Sequence, residues 1–302
     1  MAVEISNGTS VPHATDYQDL LAKLVIFATA NGWALTESTS DKVVLTGEGL
    51  SGGDAIHVAF QKYSDVGTDA FGWYLNGYTG YQSGLSFIQQ PGAIPASYPA
   101  LPLWNSAIPY WFIVSARRII VVAKISTTYQ VAYMGYMLPY GTPGQYPYPL
   151  VIGGSANDTR PRWSATGNNA TAPFIPYTNT PSVLYVRLLS GQWYQPRISI
   201  MNAGGFAGEG TWPYNCAVHG STYPIALLRP ALSGEYTLQP IVICHRASST
   251  DAALLGDFDG AKHITGADNA AENTITIGGD TWLVVQNVYR TSTGNYFAIR
   301  LA

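Results

Sequence analysis

The apolar positions change period once, near the start of the chain. Tyr17, Leu20, Leu21, Leu24, Phe27 and Ala28 recur at helical spacing and predict one amphipathic helix. Thr15 and Gln18 stand at capping-box spacing ahead of it, and Asn31-Gly32 offers a C-terminal stop. Beyond it the apolar residues alternate or run in short blocks, as in strands. Trp33–Glu37 and Lys42–Thr46 flank a polar turn, and Ala55–Gln61 puts Ile56, Val58 and Phe60 on one face with His57 on the other. The aromatic, Gly-rich stretch 71–88 predicts one or two further strands. Residues 1–90 therefore read as a small α+β module, one helix on an antiparallel sheet.

Pro91, Pro95, Pro99, Pro102 and Pro109 then interrupt the pattern, and residues 91–112 read as a linker or arm. Ile113–Ile125 predicts one strand, followed at once by a second over Thr127–Leu138. Pro139–Pro149 holds four prolines and three tyrosines in eleven residues and predicts an extended loop. Residues 151–182 are polar and loop-like. Further strands are expected at Val183–Leu189, Gln192–Ile200, Tyr223–Leu228 and Tyr236–Arg246. Near the end, Asn273–Ile277 and Thr281–Tyr289 flank Gly278-Gly279-Asp280 as a hairpin, and Tyr296–Leu301 forms a last strand. The expected fold is mainly β with a small N-terminal α+β unit. Its antiparallel, sandwich-like sheets are joined by Pro/Gly-rich loops, and residues 113–302 form a β-rich domain.

Composition sharpens this picture. Charged residues are 11% of the 302, against about 25% in ordinary soluble proteins. Tyr 21, Trp 8 and Phe 9 supply an aromatic share of 13%. Such a chain presents neutral, aromatic surface, which suits contact with neighbours. A turn-rich β fold accounts for the same numbers. The net charge is −3 and Arg117-Arg118 is the only adjacent basic pair, so no row of cations is available for nucleic acid. No apolar run reaches the ~18 residues of a membrane span. The opening MAVEISNGTS lacks the basic and apolar regions of a signal peptide, which points to synthesis in a cytoplasm. Cys216 and Cys244 are expected to be free and buried.

Each chemical motif fails at a required position. Gly47-Glu48-Gly49-Leu50-Ser51-Gly52 has dinucleotide-loop spacing, but the following DAIHVAFQ alternates like a strand where a helix is needed. Asp257-Phe258-Asp259-Gly260 opens like a calcium loop, yet Lys262 and Asp268 stand where Gly and Glu belong, so a turn is expected. Cys216 with His219, and Cys244 with His245, do not make two well-spaced zinc pairs. Asp65, Asp69, Glu209, Asp257 and Asp259 offer carboxylates without a spacing that marks a glycosidase pair. No catalytic residue, cofactor or metal ligand is assigned.

Three blocks carry a resemblance. They are YQDLLAKLVIFATANGWAL with TGEGLSGGDAIHVAFQ, then RRIIVVAKISTTYQVAYMGYMLPYGTPGQYPYPLVIGGS, then LLGDFDGAKHITGADNAAENTITIGGDTWLVVQNVYRTSTGNYFAIRL. In these the chain resembles virion structural proteins of tailed bacteriophages. The resemblance implies a component of the virion, and such proteins are encoded among tail and baseplate genes. The expected role is a tail or baseplate subunit that assembles in a symmetric ring with copies of itself and other virion proteins. It implies no catalytic residues. A head decoration or neck protein is the same class at another place. A receptor-binding or fibre-tip module is the alternative, because Trp104, Trp111, Trp163, Trp193 and Trp212 lie in or beside Pro- and Gly-rich loops and flat rings stack on host glycan. The candidate interface residues are Tyr140, Tyr146, Tyr148, Pro147, Pro149, Trp104 and Trp111, aromatic or stiff residues of the kind that anchor interfaces.

Overall fold

The computed structural model describes residues 1–50, 54–157, 159–166, 170–175, 183–196, 210–212, 234–246 and 252–302. It is mainly β, with 47% of the described residues in strands and 5% in helix. Strand β1 (Ala2–Ile5) is followed by helix α1 (Tyr17–Thr29). Next, β2 (Ala34–Ser38), β3 (Lys42–Glu48), β4 (Ala55–Asp65), β5 (Ala70–Tyr78) and β6 (Ala100–Leu103) pair in chain order as a first antiparallel sheet. Then come β7 (Tyr110–Ser115), β8 (Arg118–Ile125), β9 (Thr128–Tyr136), β10 (Leu138–Pro139), β11 (Leu150–Gly153), β12 (Leu184–Arg187) and β13 (Trp193–Tyr194). All of these except β10 join β1 in a second sheet of order β1-β7-β8-β9-β11-β12-β13. The rest are β14 (Gly210–Trp212), β15 (Gln239–Arg246), β16 (Ala252–His263), β17 (Thr274–Ile277), β18 (Asp280–Gln286) and β19 (Tyr296–Arg300). They form a third sheet of order β14-β15-β16-β19-β18-β17, with β10 also pairing to β16.

Side-chain alternation explains how the sheets stack. In the second sheet Phe112, Val114, Ile119, Val121, Ala132 and Met134 face a core shared with α1 and the first sheet. The residues between them, Ile113, Ile120, Val122, Val131 and Tyr133, face a core shared with Ile241, Ile243, Phe258, Val285 and Phe297 of the third sheet. The second sheet is thus the middle of three layers and is buried on both faces. This is why Ile119–Ala123 of β8 reads as an unbroken apolar run rather than an alternation. The helix closes the first core. Tyr17 packs on Phe71 of β5 with ring centroids 5.4 Å apart, and Phe27 on Phe112 of β7 at 6.2 Å.

Several local expectations are corrected. Ile113–Ile125 is not one strand but the end of β7 and all of β8, with Ser115 opposite Arg118 across a two-residue turn. Ser115-Ala116-Arg117-Arg118 is a short polar break between two apolar blocks, and the turn falls on it. Asp257–Gly260 is not a turn but the middle of the twelve-residue β16. The helix cap is Asp16, whose side chain accepts from the Gln18 and Asp19 backbone N–H groups, while Asp19 rather than Gln18 reaches back to the N–H of Thr15. The stretch 91–112 contains β6 and the start of β7. β6 is fully buried and pairs with β5, and Pro102 is tolerated because β6 is the edge strand of its sheet. Residues 2–5 pair with β7, so strands cross both boundaries expected at 90 and 113. Most of the described residues of 151–182 lie outside strands, but β11 reaches to Gly153. The expected strand at 223–228 lies outside the described residues.

Two polar ties join the middle and third layers. Arg118 of β8 is 2% exposed and donates from Nε to Asp259 of β16 at 2.7 Å. Gly260, at φ +72°, lets the guanidinium approach, since a Cβ there would lie 2.4 Å from Nη2. Lys124 and the Tyr129 hydroxyl both donate to Glu272 at 2.5 Å. Burial alone would raise the pKa of Glu272, but these two donors outweigh it and hold it below its ordinary value.

Replacing Phe112 with Ala is expected to cost about 3–5 kcal/mol, whereas Val66→Ala at an 83% exposed site changes stability by under about 0.5 kcal/mol. Denaturant midpoints check both. Asp259→Ala strands a buried cation and is expected to cost about 3 kcal/mol by the same measurement. The Glu272 tie stabilises the fold above the unfolded carboxyl pKa, about 4.3, and is lost as pH falls through the lower folded value. Comparison of the wild type with Glu272→Gln should show a difference under about 1 kcal/mol at pH 7, because Glu272 is 39% exposed. That difference should vanish in acid.

Candidate interaction surface

The Tyr/Pro loop spans two neighbouring strands, since β9 and β11 are antiparallel partners. Its neck is closed by the Met137 N–H donating to Pro149 O at 3.1 Å. Within the loop the Gln145 and Tyr146 N–H groups both donate to Thr142 O at 2.9 Å. On leaving β9 the chain forms β10, with Leu138 opposite Asp257 and Pro139 opposite Gly256. The Tyr140 N–H then extends this pairing to Leu255 O at 3.1 Å.

The seven candidate interface residues separate in the structure. Tyr146 is 2% exposed, sits in the second core, and donates its hydroxyl to Arg187 O. Trp111 and Pro149 are buried too, Trp111 with Tyr129 at 6.5 Å. These three belong to the chain's own interior. Tyr148 is half-buried under the Arg187 guanidinium, 5.4 Å from its ring centroid. Trp104 is half-buried edge-on to Trp163 at 5.5 Å, and Pro147 is exposed. Tyr140 is 53% exposed. Its hydroxyl pKa is pushed up by burial first and by Asp257 second.

Around Tyr140 lie two exposed apolar residues that sequence reasoning did not single out, Leu138 and Leu254. All three follow from one local arrangement, because β10 and β16 run side by side with their outer positions uncovered. Next to Leu138 a cleft of about 260 Å³ is lined by Glu48, Leu50, Arg117, Tyr136 and Asp259, among others. Charged groups therefore border an apolar strip, as at the rim of an interaction surface.

The remaining candidate chemistry resolves into structural contacts. Asp65 pairs with Arg160 at 3.7 Å, Asp69 with Arg162 at 2.5 Å and Asp259 with Arg118. Cys244 is buried in β15; Cys216, His219 and Glu209 lie outside the described residues. Among the described residues no three His, Cys, Asp or Glu side chains form a group able to hold a metal ion. The Gly-rich stretch after β3 also spells Gly49-Leu50-Ser51-Gly52-Gly53, the spacing of a nucleophile elbow. An elbow requires a helix next, and β4 follows; Ser51 lies outside the described residues. No described helix is long and apolar enough to cross a membrane. The chain matches no protein-family model, and no curated protein is significantly similar to it.

Tyr146→Ser is expected to destabilise the fold by about 3 kcal/mol in a denaturant titration, because it empties a core position and removes a hydroxyl bonded to Arg187 O. Tyr140→Ser is expected to cost under about 1 kcal/mol.

Proposed function

We propose that this chain is a structural subunit of a tailed-bacteriophage virion, in the tail or baseplate, held in a symmetric ring by copies of itself and other virion proteins. It acts by contact and is not an enzyme. The observation that carries the reading is the uncovered apolar strip of Leu138, Tyr140 and Leu254, set on a rigid β10–β16 pair. Exposed apolar surface bordered by charge marks association surfaces. Ring symmetry repeats each contact, so a modest strip holds a subunit firmly. The low charge of the chain and the three sequence blocks that resemble virion proteins agree with this. A head decoration or neck position uses the same surface in the same way.

The test is to produce phage particles carrying a tagged copy and to image the tag. A ring of label on the tail or baseplate is expected. Leu138→Ser with Tyr140→Ser should leave the isolated protein folded and reduce its incorporation at least tenfold. Label found only in the unassembled fraction, or full incorporation of the double variant, contradicts the reading.

A further inference from the structure

We propose that β17, the outer strand of the third sheet, pairs antiparallel with β17 of a second copy of this chain, so that two third sheets become one. The backbone leaves this edge open. β17 pairs with β18 through Thr274↔Leu283, Ile275↔Trp282, Thr276↔Thr281 and Ile277↔Asp280, and ends the sheet. Thr281 turns both of its backbone groups away from β17, donating to Ala302 O at 3.0 Å and accepting from the Leu301 N–H at 2.7 Å. Thr276, opposite it, therefore directs its own N–H and C=O outward, and Thr274 does the same two positions earlier. Both threonines are exposed, and among the described residues no partner meets these outward groups. A groove of about 460 Å³ is lined by residues 275–278 of the hairpin and by 234–236. A Cβ added at Gly234, Gly278 or Gly279 would meet nothing within 4 Å, so the approach is open.

The other sheet edges are guarded and this one is not. An unpaired edge invites foreign strands, and proteins blunt it with charge, proline, a bulge or shortness. β1 carries Glu4, β2 has a bulge between Leu35 and Glu37, β6 holds Pro102, and β13 and β14 are two and three residues long. β17 is Thr-Ile-Thr-Ile, β-branched throughout, uncharged and in unbroken register. A copy of the same strand fits this pattern. Outward-facing residues must meet as hydrogen-bonded pairs, which sets Thr274 opposite the second copy's Thr276, with the two Ile275 residues facing each other between the pairs. Each threonine pair then exchanges both N–H···O bonds. Opposed residues point to one face, so the Ile275 side chains meet and extend the cluster of Trp282, Val284, Tyr296 and Tyr236 across the contact. The paired strands set no like charges opposite each other. A two-fold axis through Ile275 makes the contact isologous, so it stops at two copies. The pairing needs neither the Leu138–Tyr140–Leu254 strip nor a virion, and its failure leaves that reading untouched.

The test is sedimentation of the isolated full chain over a range of concentrations. The wild type is expected to pass from monomer to dimer in the high micromolar range. Thr274→Lys with Thr276→Lys sets cations opposite each other and should weaken the dimer at least tenfold, without moving the melting temperature of the dilute protein, since both sites are exposed. Thr274→Glu with Thr276→Lys sets opposite charges across the same register and should keep the dimer. Leu138→Ser with Tyr140→Ser should leave it unchanged. A chain that stays monomeric at every concentration, a dimer that survives the two lysines, or one lost in either of the other variants would overturn the proposal. So would β17 amides that gain exchange protection only when another particle protein is added, the result expected of a foreign strand.

Discussion

Everything in this chain depends on burying one sheet on both faces. A sheet with one wet face alternates apolar and polar residues, and one partner layer suffices for it. The central strands of the second sheet have no wet face. Phe112, Val121 and Met134 point one way and Ile113, Val122 and Tyr133 the other, and every one is buried. Two further layers are therefore obligatory. The first is made by the helix and the strands before residue 104, the second by the strands from Gly210 onward. The chain order follows: the middle sheet is built from the middle of the sequence, with β1 added at one edge.

The polar chemistry serves this arrangement before any other task. Arg118 lies within a sheet that tolerates almost no polarity, and Asp259 from the next layer makes its burial tolerable. The acids that resembled a calcium loop are strand residues, one of them engaged with that arginine. Most of the tyrosines expected to face a partner are likewise consumed. Tyr146 packs into the second core and Tyr148 lies under Arg187. What remains exposed is small: Leu138, Tyr140 and Leu254 beside β10.

Elements with local signals were legible in the sequence. The helical face of Tyr17, Leu20, Leu21 and Leu24, the alternation of Ile56, Val58 and Phe60, and the Gly278-Gly279 turn each stand where the pattern put them. What escaped was set by distant partners. The β7–β8 turn is marked only by the short polar break Ser115-Ala116-Arg117-Arg118, and the apolar blocks on either side merge into one expected strand. The proline-rich stretch reads as an arm, yet part of it covers the outer face of the first sheet, with Phe87 and Tyr98 packed near Tyr78. Tyr146 and Tyr140 are six residues apart in one loop and look equivalent, but only Tyr146 meets Arg187, 41 residues further on. Exposure is a property of where a loop lands, and spacing within the loop does not encode it.

The claim that the middle sheet organises the molecule is tested most directly by native-state hydrogen exchange on the isolated protein. The account predicts that the amides of 118–125 and 128–136 exchange slowest of all, opening only with the whole fold, and that strands of the first and third sheets join the same cooperative transition. Fast exchange in those two strands, or a first sheet that opens and closes on its own while they stay protected, would contradict it.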